Sequence, residues 1–104
     1  MNLLQKTKKK IVKIYIESED LTLSAATMAP GLNDALIYLQ EGYSLQVNWA
    51  DEIQDLPFPL YVLFLRFLQV CAKRQVKVVF FSGQGLRDMF TTIDATELVH
   101  EWQS

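Results

Sequence analysis

The sequence predicts an α/β domain: a mainly parallel sheet of about four strands with three to four helices packed on it. Three observations carry the prediction. Alternating or β-branched apolar runs recur at residues 11–17, 43–49 and 76–81. Longer stretches with apolar residues at helical spacing lie between them. Breaker residues, among them Gly42, Pro57, Pro59 and Gly83, punctuate the change from one kind of segment to the other. Such alternation implies parallel strands joined by right-handed crossovers. The chain has 104 residues, half of them hydrophobic. That suits one domain with one core and leaves no room for two. Residues 1–10 form a basic N-terminal segment and residues 11–104 the domain.

Lys6, Lys8, Lys9 and Lys10 stand in the first segment with no acid among them. They read either as an arm for an acidic partner or as a solvated flank of an edge strand, where lysine discourages aggregation. The second reading is preferred, because the cluster is short and has no aromatic residues between the lysines. Ile11 to Glu17 then puts Ile14 and Ile16 on one face and Lys13, Tyr15 and Glu17 on the other, as in a strand covered on one side.

Ser24 or Thr27 can cap the next helix; with Thr27 as the cap, Pro30 falls in the first turn, where proline is tolerated. Leu32, Ala35, Leu36 and Leu39 make its apolar face, and Gly42 stops it. Tyr43 to Trp49 is the second strand. Asp51 to Phe58 is a loop, and a helix starts near Phe58 or Pro59 and runs to about Arg74. Leu60, Leu63, Phe64, Phe67, Leu68 and Cys71 form its buried face, broadened by Val62, Leu65 and Val70. Val76 to Phe81 is a nearly continuous apolar run, as in a strand covered on both faces. After the turn at Ser82 to Gly85, Leu86 to Thr91 makes a short helix with Met89 and Phe90 inward. A last helical turn or two spans Thr96 to Trp102.

Composition excludes several classes of function. Ten basic against twelve acidic residues give a net charge of −2, with no overall pull toward nucleic acid or an anionic membrane. A single cysteine allows no internal disulfide and fits a cytoplasmic setting. The first residues lack the apolar stretch of a signal peptide. The most apolar segment, Leu56 to Leu65, is about half the ~20 residues that a membrane helix needs. Membrane insertion is therefore not expected.

Catalytic chemistry has few carriers. His100 is the lone histidine and reads as a surface residue of the last helix. Cys71 lies in an apolar helical face, where cysteine behaves as a small hydrophobe. No metal-ligand spacing occurs. Asp51, Glu52 and Asp55 could hold a divalent cation, but such a cluster more often solvates and caps a following helix. Ser82-Gly83-Gln84-Gly85 could cradle an anion before a helix. It lacks the Lys-Ser or Lys-Thr ending of a P-loop, and turn geometry is the simpler account. Functional surfaces of parallel sheets lie at the carboxyl ends of the strands. Here those ends lead into residues 50–58 and 82–85. Leu56-Pro57-Phe58-Pro59 is the most unusual segment there. It reads equally as a proline-framed helix start with Phe58 in the core, or as an apolar anchor for a partner.

The order and spacing of these segments resemble a STAS domain of the anti-sigma-factor-antagonist type over residues 11–99. Asp20-Leu21-Thr22-Leu23 with the Leu32, Leu36, Leu39, Gly42 helix is similar to the first half of that family. Leu45 to Trp49 with Ile53-Gln54-Asp55 resembles the segment before its second helix, and Val76 to Phe81 with Gly83 its third section. Ile93 to Val99 looks like its closing helix. The family starts its second helix with Asp-Ser-Ser-Gly or Asp-Ser-Thr-Gly and is switched by phosphorylation of the second hydroxyl residue. Asp55 matches the aspartate, but Leu56, Pro57 and Phe58 replace the other three residues. Proline offers neither a hydroxyl nor a backbone donor, so the switch cannot operate at Pro57.

The resemblance implies a bacterial, cytoplasmic interaction domain that is not an enzyme and needs no cofactor or metal. The expected partner-binding residues are Asp55, Leu56, Pro57 and Phe58 with Ser82, Gly83 and Gln84. Asp55 would cap the second helix or bind a donor, and Phe58 would anchor. The expected partner is an anti-sigma or serine-kinase-like ATPase, or a chemosensory component. The alternative is a STAS subunit of an ABC-type transport assembly. A small enzyme or nucleotide-binding domain using the Gly83–Gly85 turn is a third reading. The broad apolar second helix also permits a homodimer.

Overall fold

Period-two alternation does build the central strands. The computed structural model describes residues 2–6, 10–92 and 96–103. Its five strands are β1 (Asn2–Lys6), β2 (Ile11–Ile16), β3 (Ser44–Trp49), β4 (Lys77–Phe81) and β5 (Glu101–Gln103). They form one sheet in the order β1-β2-β3-β4-β5. β2 through β5 run parallel, with Ile14 opposite Val47, Val47 opposite Phe80 and Phe80 opposite Trp102. β1 joins the far edge antiparallel, with Lys6 opposite Ile11. The α/β architecture with a mainly parallel sheet is thus the one predicted.

Three helices make the crossovers: α1 (Ala25–Tyr38), α2 (Phe58–Lys73) and α3 (Gln84–Thr92). Each step from β2 to β5 moves one place in the same direction. Right-handed crossovers of that kind put all three helices on one face of the sheet. Burial agrees. Val12, Ile14 and Ile16 of β2 and Leu45, Val47 and Trp49 of β3 join the helices in one core, while the alternate residues of both strands are half-buried. β4 is buried on both faces at its centre, as expected of it, but only one face joins the core. Val78 and Phe80 enter the core, whereas Val79, between Gln46 and Glu101, is buried outside it.

Helix α1 starts at Ser24, whose Oγ accepts from the Thr27 N–H at 3.1 Å. Pro30 therefore lies inside the helix, not in its first turn, and leaves the Ala26 carbonyl without its helical donor. Burial of Met28, Leu32, Ala35 and Leu39 offsets that loss. Each such leucine or methionine contributes roughly 1.5–3 kcal/mol. The helix ends at Tyr38, before Gly42. Gly42 instead serves the turn into β3, at a φ of 89°. The Arg74 guanidinium donates to the Leu36 and Leu39 carbonyls and so closes the end of α1 from the end of α2.

Helix α2 buries Leu60, Phe64, Phe67, Leu68 and Cys71, with Leu63 half-buried beside them. It stops where Val76 N–H donates to Cys71 O and Gln75 N–H to Ala72 O, at 3.0 and 3.1 Å. Those two bonds satisfy carbonyls that a helix end would otherwise orphan. They require a left-handed residue, and Gln75 takes that position at a φ of 59°.

The C-terminal segment corrects the sequence reading. Thr96–Leu98 is a single 3-10 turn, and Glu101–Gln103 is a strand, so Trp102 is not helical. Residues 93–95 of the expected closing helix, and Lys8 and Lys9 of the basic segment, lie outside the described residues. His100 is not a helix-surface residue. Its backbone N–H donates to the Val78 carbonyl at 2.8 Å, and its Nδ1 accepts from the Val78 N–H at 3.0 Å. The imidazole thus stands in for the next rung of the ladder between β4 and β5.

Candidate functional site

The carboxyl ends of β3 and β4 lead into two loops that pack on each other. Gly83 and Gly85 make the approach possible. A Cβ on Gly83 would sit 3.2 Å from the Asp51 carbonyl, and one on Gly85 would sit 2.8 Å from the Gln54 Cβ. Backbone this close admits only glycine without movement. The two segments expected to bind a partner are therefore held side by side.

Within the first loop the four apolar residues part company. Leu56 is buried and belongs to the core, so it does not stand out as an exposed anchor. Phe58, in contrast, is 74% exposed, and the alternative that folds it into the core does not hold. Pro57 is exposed and forms the N-cap of α2 without a side-chain cap. Asp55 does not cap the helix. Its Oδ1 accepts from the Leu56 N–H at 2.8 Å and fixes the turn just before it. Nor do Asp51, Glu52 and Asp55 converge on a cation: among the described residues no group of three potential ligands does.

Phe58 is the outermost ring of an aromatic series that reaches into the core. Phe58 and Tyr61 centroids are 6.4 Å apart, Tyr61 and Phe90 6.1 Å, Phe90 and Phe80 5.6 Å, and Phe80 and Trp49 5.4 Å. Trp102 joins it 5.1 Å from Phe80 and 5.6 Å from Phe90. Tilted and edge-on pairs at these distances are favourable and stiff. The exposed ring is thus mounted on a rigid base.

Two surface grooves flank α3. One, about 260 Å³, is lined by Asp55, Leu56, Phe58, Tyr61 and Met89 and is mostly apolar. The other, about 220 Å³, is lined by Ser82, Gly83, Gln84, Arg87, Trp102 and Gln103. Ser82 itself is buried, and its Oγ donates to the Gly83 carbonyl at 3.1 Å, so it offers no free hydroxyl. Gln84 is exposed, with its Nε2 donating to Asp88 Oδ1 at 2.8 Å. Tyr61, Arg87, Trp102 and Gln103 were not among the residues expected here. Helical spacing from Phe58 points to Tyr61, whereas Trp102 and Gln103 arrive only with the unforeseen strand β5.

Charge is distributed unevenly along the strands. The segments 17–24, 50–61 and 82–92 hold Glu17, Glu19, Asp20, Asp51, Glu52, Asp55 and Asp88, with Arg87 as their one cation. Glu52 Oε1 accepts from Ser18 Oγ at 2.8 Å, which ties the loops after β2 and β3 together. Its carboxyl is held below the usual range by its own backbone N–H and by Ser18. Tyr61 is shifted upward by partial burial. At the opposite end of the sheet stand Lys10, Lys73, Arg74 and Lys77.

Comparison with family models, characterised proteins and solved structures finds no match for this chain.

Proposed function

We propose that the chain is a non-catalytic interaction module of STAS type, resembling an anti-sigma factor antagonist, that binds a bacterial signalling protein without a serine phospho-switch. The observation that carries the reading is Phe58, 74% exposed at the start of α2. That is where the family resemblance puts its regulated docking edge. A solvated aromatic ring on a rigid base loses little conformational freedom on binding, which suits it to anchor a partner. Asp55 and Leu56 line the groove beside it, whereas Gly83 and Gln84 line the second groove on the other flank of α3.

The remaining chemistry supports a binding role. Burial pushes the Cys71 thiol up to about 12, so it is a poor nucleophile near neutral pH. His100 spends its Nδ1 on the Val78 amide. No helix of the described residues is long and apolar enough to cross a membrane. The cytoplasm is the proposed setting.

A pull-down from native bacterial extract, read by mass spectrometry, compares wild type with Phe58→Asp. The expected result is a signalling ATPase or chemosensory protein enriched by the wild type and lost with the variant, whose folding is checked by circular dichroism. Equal retention by a folded variant would overturn the assignment of this edge. Recovery of a transport ATPase together with a membrane permease would replace the signalling partner with an ABC-type assembly.

A further inference from the structure

The groove beside Phe58 combines an apolar lining with acidic residues in the segments that form it. Phe58, Tyr61 and Met89 supply the lining, and Asp55 stands at its border. Asp51 and Glu52 are exposed in the same loop, and Asp88 precedes Met89 on α3. No lysine or arginine of the described residues lies within ion-pair distance of Asp51, Glu52, Asp55 or Asp88. Among the described residues these four carboxylates are not ion-paired, and with Arg87 as the one cation of segments 50–61 and 82–92 the surroundings of the groove are net negative.

Arg87 lines the other groove, and Lys73, Arg74 and Lys77 stand at the opposite end of the sheet. Lys6 pairs with Ile11, and Lys10 precedes β2, which puts both at the amino end of the strands. A six-residue strand separates them from the carboxyl end, a distance of about 20 Å. We propose that the groove receives an apolar side chain of a partner protein flanked by lysine or arginine. The apolar residue would sit between Phe58 and Met89, and the flanking cations would face Asp51, Glu52, Asp55 and Asp88. This inference rests on the docking reading above and adds the chemistry of the occupant. Opposite charge around the groove would speed encounter and exclude acidic competitors, while the apolar contact would set the lifetime of the complex.

The test is a selection of random 15-residue peptides on the full chain, with removal of those that also bind Phe58→Asp. A synthetic peptide of the selected consensus is then titrated while backbone amide shifts are followed by NMR. The expected consensus has a central aliphatic or aromatic residue and a net charge of about +2 or more, and its shifts centre on Phe58, Tyr61 and Met89. Binding should weaken roughly tenfold from low to high salt, and by a similar factor in the triple variant Asp51→Asn, Glu52→Gln, Asp55→Asn. A neutral or acidic consensus that still depends on Phe58 would overturn the cationic occupant and leave the docking edge standing. Failure to select any peptide, or shifts elsewhere, would also overturn it. So would sedimentation showing that a second copy fills the groove. Failure of the docking reading itself appears separately, as retention of the natural partner by Phe58→Asp.

Discussion

Gly85 lies so close to Gln54 that a Cβ on the glycine would meet the Gln54 Cβ at 2.8 Å and its Cα at 3.2 Å. This contact fastens the loop after β3 to the first turn of α3. In an open helix interior, alanine would be preferred over glycine by ~1 kcal/mol. Here the added methyl meets atoms next to the backbone, and overpacking of that kind costs about 1–3 kcal/mol. Gly85→Ala is therefore expected to lower stability in urea by about 1 kcal/mol net. Gln54→Gly in the same chain removes the opposing Cβ and should recover part of the loss. A more stable Gly85→Ala would show that the loop yields and that the two segments are not locked together.

Leu56 and Phe58 are two residues apart and should answer truncation in opposite ways. Leu56 is 6% exposed and Phe58 74%. Leu56→Ala leaves a cavity under the loop and should cost about 2–5 kcal/mol. Phe58→Ala loses little packing and should stay within about 0.5 kcal/mol of wild type. Paired urea titrations check both. A large loss with Phe58→Ala would mean that its ring is structural, and the docking assignment would fall with it.

What the sequence showed and hid follows from how local each signal is. β2, β3 and α2 were legible because alternation or helical spacing runs through six or more residues in each. Asn2–Lys6 has no β-branched residue and forms a strand only by pairing with β2, so it read as the solvated basic flank of an edge strand and not as a strand itself. Glu101–Gln103 is too short to show a period, and the Thr96–Val99 stretch before it mimics a helix. A large apolar residue such as Trp102 was the available clue that this segment is packed. At the site, the positions of the two loops followed from strand order. The split between buried Leu56 and exposed Phe58 did not, because it depends on how the chain enters α2 across Pro57.

The imidazole of His100 does backbone work, and its loss should be felt at β5. With Nδ1 accepting from the Val78 N–H at 3.0 Å, the ring proton must reside on Nε2. His100→Ala leaves a donor on a strand whose Val78 side chain is buried. An unsatisfied buried amide costs about 1–3 kcal/mol. Both global stability and protection of the Val78 amide from hydrogen exchange should drop. Unchanged protection at Val78 would show that the ring is dispensable and that the backbone bonds alone hold β5.

Cys71 should give the fold a particular sensitivity to alkali. Its thiol is pushed up from an ordinary value of 9.0 to about 12, chiefly by burial, with the charge of Arg74 acting weakly the other way. A thiol whose folded value is raised favours the folded state wherever it remains protonated in both states. That contribution is complete below pH 9. Between pH 9 and about 12 the unfolded chain loses the proton first, so the contribution falls as pH rises. Urea titrations at pH 8 and pH 10.5 should show a larger decline for wild type than for Cys71→Ala, in which the other titrating groups are unchanged. Iodoacetamide at pH 8 should leave the native thiol unmodified and label it once urea unfolds the chain. Parallel declines, or labelling of the native protein at the unfolded rate, would show that solvent reaches Cys71 between α2 and the sheet.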